Sequence, residues 1–169
     1  MALISNEYSE LNRQLHESNE GYGTIGHRWA PAIIDLCRAS KSKTVLDYGC
    51  GKGTLREKLL GSGLLVREYD PAIAGKEQSP DPADIVVCTD VLEHIEPDCL
   101  DEVLDDLRRV TGKGIFLSVA VVAAEKFLAD GRNAHLIIED HKWWLPKLFE
   151  RWSPVVIQFQ PGEFFMVAR

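Results

Sequence analysis

Basic character is what this chain most lacks. Its 169 residues carry 19 Lys and Arg against 26 Asp and Glu, a formal charge of −7. An acidic chain repels a phosphate backbone, so nucleic acid is disfavoured as a partner. Long apolar runs are missing as well. None approaches the roughly 18 residues of a membrane-spanning helix, so no membrane partner is expected. The opening MALISNEYSE has neither a basic region nor an apolar segment, and no secretory signal is expected. Cysteine is sparse. Cys37, Cys50, Cys88 and Cys99 show no CxxC spacing, which argues against a disulfide framework or a thiolate metal centre and for a reduced, cytoplasmic protein. Repeats, low-complexity tracts and linkers are also absent, and the length suits one domain over residues 1–169.

What is present alternates between two periods. Residues 1–26 are polar and punctuated by glycine; Leu3, Tyr8, Leu11 and Leu15 would share one face of a short helix that GYGTIG then breaks. RWAPAIIDLCRAS reads as a helix with Pro31 in its first turn. KTVLDY, LLVREYD, DIVVCTD and GIFLSVAVV read as strands, and the nearly all-apolar DIVVCTD is expected at the centre of the sheet. TLREKLLG is a helix stopped by Gly61. EPDCLDEVLDDLRRVTGKG is a second, opened by Pro97 and closed by Gly112, with acids in its first turn and Arg108 and Arg109 in its last. DHKWWLPKLFERW is a third, with Pro146 near its start. VVIQFQ and EFFMVAR flank a PG turn and form a closing antiparallel hairpin. Alternating strands and helices give an α/β protein: a doubly wound, mostly parallel sheet with that hairpin at one end.

The glycines after KTVLDY carry the first chemistry. A phosphate-cradling P-loop needs G-x-x-x-x-G-K-[ST]; Leu46 stands where its first glycine belongs, and Gly53 follows Lys52. The dinucleotide fingerprint G-x-G-x-x-G/A fails at Thr54. The actual pattern is D-x-G-x-G-x-G over Asp47, Gly49, Gly51 and Gly53. A carboxylate at the end of that strand would repel a pyrophosphate but suits a ligand bearing an ammonium. Asp70, ending the second strand, can accept both hydroxyls of a ribose. A nucleoside with a cationic tail and no phosphate is S-adenosylmethionine.

VLDYGCGKG, REYD, DIVVCTDVLEHIEP and LRRVTGKGIFLSV, in this order and spacing, resemble the class I S-adenosylmethionine-dependent methyltransferases. The compact metabolite type, similar to the quinone-biosynthesis O-methyltransferases, is nearest. The resemblance covers about residues 30–125 and implies a Rossmann-like fold and metal-independent, in-line methyl transfer to a small-molecule acceptor. It implies that Gly49, Gly51 and Gly53 admit the cofactor's methionine part, that Cys50 lines it by main chain, and that Asp47 holds the amino group. Asp70 would take the ribose and Pro71 to Ile73 would lie near the adenine. Thr89, Asp90 and Val91 would flank the sulfonium, and Arg28 would reach the carboxylate.

The chain departs from the family in one place. Only PAIAGKEQSPDPA separates Asp70 from Asp84, too little for the usual third strand and its helix. Six strands are therefore expected, in the order 2-1-4-5-7-6 by the family's labels, with a proline-rich loop beside the adenine. Gln78, Asp81 or a main-chain carbonyl would replace the lost adenine partner. His94, just past the central strand, and His135, in GRNAH, are the candidate catalytic bases or acceptor-positioning groups; Glu93 reads as structural. No group of His, Cys and acid has metal-ligand spacing, so no metal site is expected. Residues 1–26 would serve as a lid. Other readings are a non-catalytic S-adenosylmethionine-binding module for a partner protein, or a methyltransferase for protein or nucleic acid. Against the latter, TDVL stands where amino-methylating DNA enzymes have [DNS]-P-P-[YFW].

Overall fold

The computed structural model describes residues 3–169, so the first two residues of the expected lid lie outside it. The chain runs α1 (Asn6–Ser18), α2 (Ala30–Ala39), β1 (Thr44–Tyr48), α3 (Thr54–Leu59), β2 (Leu65–Tyr69), β3 (Ala83–Thr89), α4 (Leu100–Val110), β4 (Thr111–Ala120), α5 (His141–Phe149), β5 (Pro154–Gln160) and β6 (Glu163–Ala168). The six strands form one sheet in the order β2-β1-β3-β4-β6-β5. β1 to β4 are parallel, and β6 joins β4 antiparallel and carries β5 as the closing hairpin. This is the expected order once the strand absent from the sequence is left out. Residues 71–82 form neither helix nor strand.

Alternation along the central strand explains the two cores. Val86 and Cys88 of β3 face α4 and α5, packing with Leu104, Leu107, Trp144 and Leu148. Ile85 and Val87 face α2 and α3, packing with Ile33, Cys37, Leu55 and Leu59. β3 is covered on both sides, so all four of these residues are buried, as a parallel central strand requires. α4 follows from its sequence: Leu100, Val103, Leu104, Leu107 and Val110 are buried on one stripe. Asp101 and Glu102 meet its positive end, and Arg108 and Arg109 its negative end.

Two local expectations are corrected. Gly112 does not close α4; the helix ends at Val110 and β4 begins at Thr111, three residues before the strand expected at Gly114. The glycine is needed for space, since a Cβ there would lie 2.6 Å from the Ala83 carbonyl oxygen. Pro146 sits inside α5, not near its start. The carbonyl that loses its usual partner belongs to Lys142, an exposed residue, so the missing bond falls on the solvent side of the helix. The paired tryptophans divide as adjacent helix residues should: Trp144 is fully buried, and Trp143 is half-buried under the Lys147 ammonium.

A third, smaller cluster lies at the C-terminal edge of the parallel strands. Tyr8 and Leu15 of α1 pack with Leu128 and Ala134, from the long irregular segment 121–140. Ser5 caps α1 by accepting from the Tyr8 N–H, and donates its own N–H and hydroxyl to the Glu96 carboxylate at 2.8 and 2.7 Å. The first helix is thereby fastened across the end of the sheet.

Candidate active site

β1, β2 and β3 end on the same edge, and the segments that leave them make the floor of a cavity of about 80 Å³. Gly49, Gly51, Tyr48, Tyr69, Asp70, Pro71, Asp90, Val91 and His94 contribute from this side. The roof is α1, through Tyr8, Asn12 and His16, joined by Ile4, Tyr22 and Gly23.

The glycine loop has a left-handed backbone, with φ +75° at Gly49 and +50° at Gly51. The space saved there is taken first by the protein itself. A Cβ on Gly49 would lie 2.4 Å from Val91, and one on Gly51 would lie 2.7 Å from the Gly23 carbonyl oxygen. The Lys52 N–H donates to that same carbonyl at 2.9 Å. The glycines therefore seat the 19–24 turn and the β3 end against each other, besides baring main chain to the cavity.

Asp70 ties the loop to β2. One carboxylate oxygen accepts the Gly51 N–H at 2.9 Å and the other the Ala72 N–H at 3.0 Å. Each oxygen keeps a second lone pair. Asp47 is different. It is buried, does not line the cavity, and receives no hydrogen bond from the described residues. Burial, reinforced by the Glu68 charge and partly offset by Lys76, pushes its carboxyl up to about 7. Two roof groups are also without partners among the described residues: the Tyr8 hydroxyl and Nδ1 of His16, both buried in residues that line the cavity. Buried polar groups are nearly always satisfied, so these mark a place for a polar ligand or water.

At the other end of the cavity, Asp90 leaves β3 with φ +60°, a backbone state that costs about 1–3 kcal/mol for a residue with a side chain. His94 is buried; its Nδ1 lies 2.7 Å from the Ala134 carbonyl and 3.3 Å from the Tyr22 hydroxyl, which itself reaches Asn12 at 3.1 Å. Burial pushes the His94 imidazole down to about 4, with the nearby Asp90 opposing and His135 reinforcing, so the ring is neutral at physiological pH. His135 sets Nδ1 2.6 Å from the Val122 carbonyl, and the two rings meet edge to face with centroids 4.7 Å apart. A carbonyl only accepts, so each Nδ1 carries a proton, and on the neutral His94 ring Nε2 keeps the lone pair. One oxygen of Asp90 and one ring nitrogen of each histidine lie within 4.8 Å of one another. The sequence showed no metal-ligand spacing, yet these three groups come together in the fold. Sequence spacing could not show it, because His135 arrives from the 121–140 segment. Glu93, beside them, is fully buried; one oxygen accepts the Ala120 N–H at 2.7 Å and the other has no partner among the described residues. Burial, then the Asp90 charge, holds its carboxyl well above the usual range.

The remaining expected residues stand outside the cavity lining. Cys50 is buried behind the loop, Gly53 abuts Glu68, and Thr89 is buried in register with Ser118. Arg28 lies over Trp29 and pairs with Glu163. Gln78 and Asp81 are on the outer loop, where Asp81 faces Arg67 at 3.8 Å. Asn12, His16, Tyr48 and Tyr69 were not anticipated. The signal for the first two was the i, i+4 spacing of Tyr8, Asn12 and His16, which places them on one helix face.

A sheet of this order, with its glycine loop after the first strand and an antiparallel hairpin at the end, is that of a Rossmann-like methyltransferase. The sequence gives the family directly. The methyltransferase-domain family matches over residues 22–160, and the chain belongs to it. A comparison with curated proteins found no match. Among solved structures, one similar fold is the 1,6-didemethyltoxoflavin-N1-methyltransferase of Burkholderia thailandensis, with 1,6-didemethyltoxoflavin and S-adenosylhomocysteine bound. It is 18% identical, with a TM-score of 0.72 over 100% of this chain and 92% of that one. DhpI, in a complex with SAM and HEP, is 18% identical, with a TM-score of 0.64 over 96% and 94%. The magnesium protoporphyrin IX methyltransferase ChlM of Synechocystis PCC 6803, with SAH bound, is 17% identical, with a TM-score of 0.59 over 85% and 83%. The protein is thus a methyltransferase.

Proposed function

We propose that the chain uses S-adenosylmethionine to methylate a small-molecule acceptor. The observation that carries this is the cavity between the glycine loop and α1: it holds the free lone pairs of Asp70 and two partnerless polar groups, on a fold whose neighbours bind this cofactor. The ribose hydroxyls donate to Asp70, and the adenine lies toward Pro71. The methionine part crosses Gly49, Cys50 and Gly51 along the main chain, with Gly53 and Thr89 shaping the loop and the β3 end beneath it. Its ammonium is the charge that the buried, unpaired Asp47 lacks. Arg28 takes the carboxylate by exchanging Glu163 for it. Asp90 and Val91 then flank the sulfonium.

The acceptor's lone pair attacks the methyl carbon in line while the carbon–sulfur bond breaks, its electron pair going to sulfur to leave S-adenosylhomocysteine. The cofactor is already activated, so positioning supplies most of the rate, up to roughly 7–11 kcal/mol. In the metal-free site His94 and His135 are the groups placed to receive an acceptor proton, worth about 10²–10⁴-fold. α1 is the lid that excludes water. The net charge of −7 supports a small acceptor over nucleic acid, and the four free cysteines support a reducing, cytoplasmic setting. No described helix is long and apolar enough to cross a membrane.

Calorimetry with S-adenosylhomocysteine, followed by a labelled-methyl screen against metabolite extracts, tests the reading. Saturable binding and label transfer are expected. Absence of binding would refute it, and binding without transfer to any acceptor would favour a non-catalytic module.

A further inference from the structure

The group formed by Asp90, His94 and His135 has a second chemistry. We propose that these three side chains hold a divalent first-row transition-metal ion that carries the oxygen of the acceptor. The inference rests on the methyl-transfer reading for its purpose, but not for its chemistry.

Three features converge. The donor set is two imidazole nitrogens and one carboxylate oxygen, which suits zinc, manganese, iron or cobalt, whereas magnesium and calcium prefer oxygen throughout. Both imidazoles already have the outer support that metal-bound histidines show: each Nδ1–H donates to a main-chain carbonyl, Ala134 at 2.7 Å and Val122 at 2.6 Å. That leaves Nε2 of each ring as the ligand atom. Asp90 holds its side chain in place at the cost of a left-handed backbone, an expense that a bound cation offsets.

The geometry needs only small adjustment. Ligand bonds of about 2.0–2.2 Å place donor atoms roughly 3–4 Å apart around an ion, against a spread of up to 4.8 Å here between an Asp90 oxygen and one nitrogen of each ring. The difference is about 1–2 Å, which metal binding would close by a small shift of His135 on the irregular segment 121–140. Three protein ligands leave open positions on the ion, and the residues that hold it border the cavity through Asp90 and His94. A hydroxyl bound at an open position loses its proton to solvent more readily, because the ion lowers its pKa. The resulting alkoxide or phenolate attacks the methyl group while the carbon–sulfur pair returns to sulfur. Metal-bound, the two imidazoles orient the acceptor and no longer take its proton.

The test uses tag-free, chelator-stripped protein. Titrated with Co²⁺, it should bind one equivalent with the visible absorption of a four- or five-coordinate ion, and Zn²⁺ should displace it. His135→Ala and Asp90→Asn should each weaken Zn²⁺ binding by at least tenfold in calorimetry, with melting profiles confirming the fold. Absence of saturable binding would overturn the proposal. So would binding that both variants leave unchanged, since the ion would then sit on other residues. S-adenosylhomocysteine is titrated in parallel with chelator present. Cofactor binding without metal binding ends the metal site alone, whereas metal binding without cofactor binding ends the methyl-transfer reading alone.

Discussion

Replacing Asp70 with Asn separates its two duties. In the wild-type protein each carboxylate oxygen accepts one main-chain N–H, from Gly51 and from Ala72, and on the proposed reading its second lone pair takes a ribose hydroxyl. Asn retains one oxygen. Its amide group faces the other N–H with two donors, leaving that buried N–H unsatisfied. Hydrogen bonds to a charged acceptor are worth about 1.5–3 kcal/mol each. One such loss inside the fold should lower stability by about 2 kcal/mol, or roughly 4–8 °C in melting temperature for a domain of this size. One such loss at the ribose should weaken S-adenosylhomocysteine by roughly 10–150-fold. Calorimetry with the cofactor product and with its 2′-deoxy analogue separates the two effects. If the lost bond is to the 2′-hydroxyl, the analogue's penalty shrinks in the variant; if it is to the 3′-hydroxyl, a 3′-deoxy analogue shows this instead. An Asn variant that binds within twofold of wild type, with both analogue penalties intact, would refute the role of Asp70.

Three other perturbations follow from the same contacts. Gly51→Ala puts a methyl group 2.7 Å from the Gly23 carbonyl oxygen in a left-handed conformation, so the 19–24 turn should lift, with about 2 kcal/mol lost in urea unfolding and weaker cofactor binding. Asp47 titrates near 7 when folded, against an ordinary value of 3.8. The folded state therefore binds the proton more tightly, so the stability this adds is complete below about pH 4 and is lost as pH rises toward 7, up to roughly 4 kcal/mol. Asp47→Asn should flatten that slope in unfolding curves taken across the window, and a slope left unchanged would dismiss the raised carboxyl. Glu96→Ala removes both bonds to Ser5; amide exchange in α1 should quicken by about tenfold and turnover should fall, while the exchange of α4 stays as it was.

The sheet was largely legible because its signals are local. The apolar run of β3, the glycine loop, the stripe of α4 and the shortened connection after Asp70 each lie within one stretch of sequence, and each appears where expected. Gly112 was misread because a glycine after a helix ordinarily marks its end, whereas here the crowding comes from Ala83, which is far away in sequence. On the floor single residues were legible; in the roof only the lid over residues 1–26 was, not the polar groups it carries. Asp70 and Asp90 announce themselves by ending strands. His16 and Asn12 matter only because α1 folds back over the sheet, and that depends on Glu96 and on Leu128 and Ala134. Likewise His94 and His135 were each noticed, but their edge-to-face meeting is a property of the 121–140 segment.

The loop that stands in place of a third strand leaves β2 as the last strand on its side of the sheet. A bare strand there would invite another chain to pair with it. Residues 71–82 discourage this: the Arg67 guanidinium donates to the Pro82 carbonyl at 2.6 Å, and prolines at 80 and 82 offer no amide hydrogens to a newcomer. The shortened connection therefore lies against part of the edge it leaves open, through the Arg67 contact to Pro82, and makes that edge a poorer template for a further strand.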